Sequence, residues 1–476
     1  MDDPPLILWF RRDLRLADHP MVAAAAATGR PLVPVFLHDR MLGTTPVAPR
    51  WRWGLGVESF ARALAAIGSR LVLRQGEAED ALPALAREIG ATGVWWSRLP
   101  GWHAPGHDAA LAARLGAQGL EARAFEGHVL FEPDAVRTKT GGPYRVYTPF
   151  WRAVRSRDAP APLPAPKALR PPEAWPASDR LAEWRLGRAM NRGAEIVAGH
   201  VVVGEAAARA RLDAFLDGPV ARYARARDRM GVAGGSGLSE NLTYGEIGPR
   251  TVWHAARAAF DEGRGDETFL KEIAWREFSY HLLADFPAMA TASWKPAYRS
   301  FPWRGDNPDA EAWRRGRTGV PIVDAAMREL FATGRMHNRG RLVTASYLTK
   351  HLLTHWRVGH DWFADCLIDW DIANNAVNWQ WVAGSGPDAS PFFRVFNPET
   401  QAERFDPDGA YRRAWLAEGQ ADPPETARRF FEAAPRAWGL SPAAPYPAPV
   451  VSPAEGRERA LAAFRAWRAE GTGAAQ

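Results

Sequence analysis

Four stretches of this 476-residue chain set charged, amide and indole side chains at spacings that could do chemistry. In Glu272-Ile273-Ala274-Trp275-Arg276-Glu277-Phe278, a helix puts Glu272, Trp275, Arg276 and Ser279 on one face, with Leu270, Ile273 and Ala274 turned toward another. A carboxylate, a flat aromatic and a guanidinium on one face fit two readings. One is a salt-bridged amphipathic helix; the other is a site for a planar, phosphate-flanked ligand such as a nucleotide. Gly334-Arg335-Met336-His337-Asn338-Arg339-Gly340-Arg341 is a dense basic run, whose usual place is a solvated helix start. In Asp369-Trp370-Asp371-Ile372-Ala373-Asn374-Asn375-Ala376-Val377-Asn378-Trp379-Gln380-Trp381, carboxylates and amides alternate with indoles in apolar surroundings, where unpartnered polar groups are costly. Pro391-Phe392-Phe393-Arg394-Val395-Phe396-Asn397-Pro398 frames one more arginine with aromatics.

These residues need a scaffold. Leu6–Phe10, Leu32–Leu37, Leu71–Leu73, Val94–Trp96 and Glu121–Phe125 read as buried strands. Met21–Thr28, Glu58–Ile67, Ala78–Ile89 and Ala109–Leu115 lie between them with helical period. That alternation predicts a parallel, doubly wound sheet. No glycine fingerprint follows the first strand, where Trp9-Phe10-Arg11-Arg12-Asp13 stands, so a nicotinamide site is not expected there. The Pro/Ala-rich Ala159–Pro166 segment, with Pro171, Pro172 and Pro176, reads as an extended connector. Helical patterns dominate beyond it. The expected architecture is an α/β domain over residues 1–130, a linker over 131–200, and a larger all-α domain over 201–476.

Composition narrows the function classes. Lys and Arg number 60 against 54 Asp and Glu, a net +6 that permits a polyanionic partner without requiring one. A single cysteine, Cys366, excludes an internal disulfide, a cysteine zinc cluster and a cysteine-ligated iron–sulfur centre. Met1-Asp2-Asp3-Pro4-Pro5 has no basic stretch, so no export signal is expected. No run reaches the roughly 18 apolar residues of a membrane span. The expectation is a cytoplasmic monomer without metal. The 22 tryptophans fit aromatic helix packing, yet several stand inside the polar motifs.

Together the motifs resemble the photolyase/cryptochrome family, and within it the bacterial photolyases of cyclobutane pyrimidine dimers. The resemblance runs from Trp9-Phe10-Arg11-Arg12-Asp13-Leu14-Arg15 to Gln401 and is densest over residues 268–406. It implies FAD inside the helical domain and ultraviolet-damaged DNA as partner. Tyr223 and the turn Gly235-Ser236-Gly237-Leu238-Ser239 match the family's FAD-binding tyrosine and pyrophosphate loop. The family often has Thr-Ser-Arg-Leu-Ser there, so a hydroxyl and an arginine are missing, and weaker cofactor retention is expected. Arg341 and Asp369 match the ion pair beside the flavin ring, Asp371 its other acidic contact, and Asn375 the residue facing flavin N5. Glu272 and Asn338 match the groups that bond the dimer's base edges, and Trp275 and Trp381 the indoles that wall its pocket. Leu342 stands where this class usually has Met, a nearly volume-conserving change. Trp379, Trp356 and Trp303 match the family's electron-carrying indoles. Arg227, Arg276, Arg339, Arg394 and Gln401 match its DNA contacts.

The resemblance also implies a light-harvesting second chromophore of folate or deazaflavin type. The segment Ser97-Arg98-Leu99-Pro100-Gly101-Trp102-His103-Ala104 lacks the Asn-Glu pair that meets folate in some relatives. Two rivals remain: a signalling cryptochrome, and a DASH-type photolyase restricted to single strands. Plant cryptochromes carry Asp where Asn375 stands, and photolyases of (6-4) photoproducts carry His where Asn338 stands. Both differences, with Glu272 and the short tail after Ser452–Arg468, favour repair of the cyclobutane lesion.

Overall fold

The computed structural model describes residues 3–103, 106–190 and 193–470. Five parallel strands, β1 (Leu6–Phe10), β2 (Leu32–His38), β3 (Val72–Gln75), β4 (Gly93–Ser97) and β5 (Glu121–Phe125), stand in the order β3-β2-β1-β4-β5. Helices α1 (Pro20–Ala27), α2 (Val47–Ala66), α3 (Ala78–Ile89) and α4 (His107–Gly116) make the crossovers. Alternate side chains of β1 feed two cores. Leu6, Leu8 and Phe10 meet Met21, Val22, Trp53 and Phe60 of α1 and α2, while Ile7 and Trp9 meet Leu82, Leu85, Leu111 and Leu115 of α3 and α4. Helices on both faces explain why these strands read as unbroken apolar runs.

All five expected strands are present, the third shifted to Val72–Gln75. The second crossover helix starts at Val47 rather than near residue 58. Pro49 sits in its first turn, where its missing N–H costs nothing, and Arg52 turns inward. The expected linker is extended only in part. Within it α5 (Tyr147–Val154) buries Tyr147, Phe150, Trp151 and Val154 in the helical core. The extended stretch is tied to the sheet half, with Leu163 accepting from the Asp18 amide at 2.7 Å and Arg170 from the Leu32 amide at 2.8 Å.

The helical half is organised around α6 (Glu205–Leu216), α7 (Glu267–Asp285), α8 (Asn338–Ser346), α9 (Trp356–Cys366) and α10 (Ile372–Ala383). Among the described residues no helix is long and apolar enough to cross a membrane. The two halves meet at Arg52 of α2. Its fully buried guanidinium bonds Glu240 at 2.6 Å and Glu246 at 2.9 and 2.8 Å. Burial works against this charge, but Glu246 and Glu240 together hold its pKa above the ordinary value. Arg12 lies beside it in the joint, 4.3 Å over Trp53 and 3.9 Å over Trp102. Replacing Arg52 by Ala leaves the buried Glu246 without a cation and Glu240 with only Arg335 and Arg211, and chemical denaturation should record a loss of about 3–5 kcal/mol.

Candidate functional site

Three of the four chemical stretches meet in one cavity of about 920 Å³, large for a small-molecule site. α10 begins where it does because Asp371 caps it, Oδ1 accepting from the Asn374 amide at 2.8 Å. Its other oxygen accepts from the Tyr280 hydroxyl of α7. Asp369 takes Arg341 of α8 on both oxygens, at 3.0 and 2.8 Å, and Ser239 Oγ at 2.7 Å. Asn375 is buried and donates Nδ2 to the His360 carbonyl at 3.1 Å, which leaves Oδ1 as its acceptor. In the turn before Ser239, Gly237 has φ of +66°, a conformation natural to glycine. Tyr223 packs edge-on against Phe215 and Phe269, and burial, with the Glu272 charge, pushes its hydroxyl pKa up. Tyr223, Gly235, Ser236, Gly237, Leu238, Ser239, Arg341, Asp369, Asp371 and Asn375 all line this cavity.

Glu272 and Trp275 from α7, Asn338 from the first position of α8, and Trp381 from α10 line it too, as does Leu342. Glu272 is held by the Arg227 guanidinium. Burial disfavours the Arg227 charge, yet Glu272 carries its pKa above the usual value. Trp275 lies flat on Tyr147, 3.8 Å between ring centres and 6° between planes, so one indole face is already covered. Sequence reasoning missed Tyr147 because it stands in the segment taken for a linker. α8 starts on His337, whose Nδ1 accepts the Arg339 amide at 3.1 Å. Burial lowers the His337 pKa to about 4, so the cap is neutral.

Trp379 also borders the cavity, and its ring rests on α9, where a Cβ at Gly359 would come within 2.1 Å of the indole. Trp356, one turn earlier on α9, is fully buried. His355 stacks on it at 5.7 Å and 27°, and meets Trp303 edge-on at 5.8 Å and 75°. Trp303 is half-buried. The three indoles thus run from cavity to surface, with an imidazole in the last gap.

The expected DNA contacts divide. Arg394 is exposed and Gln401 half-buried on the helix Pro398–Phe405. Arg339 closes its fork on Asp228 at 2.9 and 2.6 Å, so a phosphate would have to compete with that carboxylate. Arg276 is a correction. It borders the cavity, but its guanidinium is buried, donating to the His128 carbonyl and to Glu277, each at 2.9 Å, and lying 4.7 Å over Tyr280. The helix face was legible, but the partners that cover it were not. Arg335, Glu240, Tyr411 and Trp415 line the cavity without having been singled out as ligands. Arg335 was visible inside the basic run, whereas Tyr411 and Trp415 carry no local signal.

At the carboxyl ends of β1 and β4, the switch point where doubly wound sheets bind ligands, Arg11 bonds His103 at 2.9 Å and lies 4.3 Å over Trp9. Trp9 Nε1 is buried with no hydrogen-bond partner. Both side chains are buried, and the Arg11 guanidinium also reaches the Ser97 carbonyl and Asp108. Ala104 of the neighbouring segment lies outside the described residues.

Two family models cover most of the chain: DNA photolyase over residues 6–167 and the FAD binding domain of DNA photolyase over residues 269–466. A deoxyribodipyrimidine photo-lyase of Agrobacterium fabrum is 44% identical over 468 residues, 97% of this chain and 98% of that protein. The chain belongs to the DNA photolyase family. The crystal structure of a bacterial class III photolyase from Agrobacterium tumefaciens superposes with a TM-score of 0.89 at 41% identity, covering 98% of each chain. That of a Synechocystis cryptochrome superposes at 0.82 and 28% identity, covering 98% of this chain and 99% of the other. As a photolyase-family protein the chain binds FAD, and the cavity's size and donor set fit that cofactor.

The neutral caps of this photolyase fold carry a pH dependence. His337 has a pKa of about 4 when folded and about 6.5 when unfolded, so the unfolded chain binds more protons between those values. Stability therefore falls as pH drops from about 6.5 to about 4 and levels off below. His281 and His351, lowered by burial to about 4, add to the slope. His337→Asn, which caps without titrating, should reduce the slope of denaturation free energy against pH by up to about one proton, roughly 1.4 kcal/mol per pH unit.

Proposed function

We propose that this chain repairs cyclobutane pyrimidine dimers in ultraviolet-damaged DNA, using blue light and FAD. The observation that carries the reading is the single cavity shared by the lesion-side residues Glu272, Asn338, Trp275 and Trp381 and the flavin-side residues Asp369, Asp371 and Asn375. When bound, reduced and light-excited FAD would lend the electron that splits the cyclobutane ring and take it back once the two pyrimidines part. The rest falls to the protein.

A dimer inside a duplex cannot reach an enclosed cofactor, so it must be turned out of the stack; photolyases are themselves a standard example of base flipping. Lost pairing in the lesion lowers that cost. Trp275, stiffened from behind by Tyr147, and Trp381 offer stacking of about 1–3 kcal/mol per base. Glu272 and Asn338 bond the base edges, the Glu272 carboxylate accepting from a ring N–H, and a hydrogen bond from Asn338 Nδ2 strengthens as negative charge grows on the dimer carbonyls. Asn375, its nitrogen engaged by His360, presents an oxygen suited to a ring N–H. Arg341 and Asp369 hold one another, so the flavin side gains polarity without net charge.

Trp379, Trp356 and Trp303, in that order outward, make a route for electrons from the surface to oxidised FAD. Arg394, Gln401, Arg227 and Arg339 are the candidate DNA contacts, with Arg276 withdrawn to the wall. We also propose a second pigment of folate or deazaflavin type, the 1–130, 131–200 and 201–476 division, and a cytoplasmic monomer. The test is blue-light repair of one defined thymine dimer in duplex and in single-stranded DNA, with a (6-4) photoproduct as control. Light-dependent reversal of the dimer in duplex supports the reading. Repair of single strands alone makes it a DASH-type enzyme, and repair of neither substrate overturns it.

Two variants probe the parts. Trp379→Phe should lower the rate of light-driven reduction of oxidised FAD at least tenfold, followed by absorbance, while chemically reduced enzyme repairs at the normal rate. Arg394→Ala should weaken damaged and intact DNA alike and reduce the slope of log affinity against log salt by about one. Trp275→Ala should leave that slope and reduce the preference for damaged DNA; salt titrations with both DNAs measure the two effects.

A further inference from the structure

The pyrophosphate turn lacks the arginine common in the family, yet the space around it is rich in guanidinium. Gly237 has φ of +66°, so any larger residue would be strained there. A Cβ on it would already lie 3.4 Å from Arg211 Cδ and Nε. Arg211, from α6, reaches over this position and donates Nη1 to the Gly237 carbonyl at 2.6 Å and to Asn241 Oδ1 at 2.9 Å. It does not line the cavity. Arg335 does, on the same wall as Gly235–Ser239, with Nη2 bonded to Glu240. The side chain of Arg335 keeps 37% of its surface exposed, whereas Glu240 is buried.

The charges here do not balance. Glu240 receives Arg52 at 2.6 Å, Arg335, and Arg211 at 3.6 Å, and Glu246 receives Arg52. Three guanidiniums meet two carboxylates. Glu329, the other acid near Arg335, is taken by the Tyr411 hydroxyl and the His337 amide. Burial raises its pKa, which weakens it as a counter-charge. Burial and the Arg335 charge push the Arg211 pKa down, as expected for cations crowded together. One positive charge is left over beside a turn whose backbone amides can form an anion nest.

We infer that Arg335 is the cationic anchor of the FAD pyrophosphate in this chain, with Arg211 bracing the glycine turn from behind in place of a side chain at 237. This rests on the assignment of Gly235–Ser239 as the pyrophosphate turn. The fork of Arg335 is half committed to Glu240, which sets its direction and leaves the remaining donors for phosphate oxygens. Weak cofactor retention, expected from the turn alone, is therefore not the outcome.

The experiment follows FAD release from the purified holoenzyme by the rise in free-flavin fluorescence after dilution, at several salt concentrations. Arg335→Gln keeps the shape and removes the charge. It should release FAD about tenfold faster or more, as loss of one charge-assisted hydrogen bond predicts, with a shallower dependence of release on salt than wild type. Arg335→Lys, which keeps the charge but loses the planar fork, should release FAD faster than wild type and slower than the glutamine variant. Arg211→Gln should also speed release, and Arg62→Gln, an exposed change on α2, should not. Release from Arg335→Gln at the wild-type rate overturns the inference. So does an Arg335→Lys as fast as the glutamine variant, because packing and not charge would then be at work. A wild-type protein purified without flavin would instead refute the cofactor site itself.

Discussion

Arg52 is a cation in the dry joint between the sheet half and the helical half, and its position constrains what lies around the cavity. Removing a guanidinium from water costs several kcal/mol, so such a group persists only where partners surround it. Glu240 and Glu246 do so from the helical side. Glu240 lies immediately after the glycine turn and also receives Arg335, while Arg211 reaches both it and Gly237. Among the described residues no cavity-lining group comes from the sheet half. That half still shapes the cavity, through one buried ion cluster.

Inside the cavity, polar groups are matched before any ligand arrives. Asp369 is closed by Arg341 and Ser239, and Asp371 by Tyr280 and its own helix start. Groups already bonded need little rearrangement when a substrate enters, which is the physical meaning of a preorganised site. The pair Arg227–Glu272 differs, because both side chains keep part of their surface in water. Its carboxylate can exchange a share of Arg227 for a base edge at modest cost. On the proposed assignment, fixed pairs lie on the flavin side and an exchangeable pair on the lesion side.

Local signals were legible and distant partners were not. The unbroken apolar run Leu6–Phe10 announced a buried strand because both of its faces are filled by neighbouring crossovers. The start of α2 was hidden, since Arg52 looks like a solvated break until Glu240 and Glu246 are known to face it. Arg276 was placed on the correct helix and given the wrong neighbour, because nothing local says that the His128 carbonyl will occupy its fork. Tyr147 behind Trp275 was lost because it fell within the 131–200 stretch read as a linker. The glycine turn was legible as a departure from a pattern; its compensation was not, since Arg211 and Arg335 stand far away in the chain.

Helices α8 and α9 both begin on histidine, where Ser, Thr, Asp or Asn is usual. His355 Nδ1 accepts the Arg357 amide at 3.1 Å, so its proton belongs on Nε2, and burial, helped by Arg357, keeps its pKa below the ordinary value. An aspartate would cap the same helix equally well, but would set a permanent negative charge between Trp356 and Trp303. A positive hole moving outward along the proposed indole route would find an electrostatic well there and linger. With an uncharged imidazole in that place the landscape has no such trap, and the hole's energy falls only where water begins to solvate it, at Trp303.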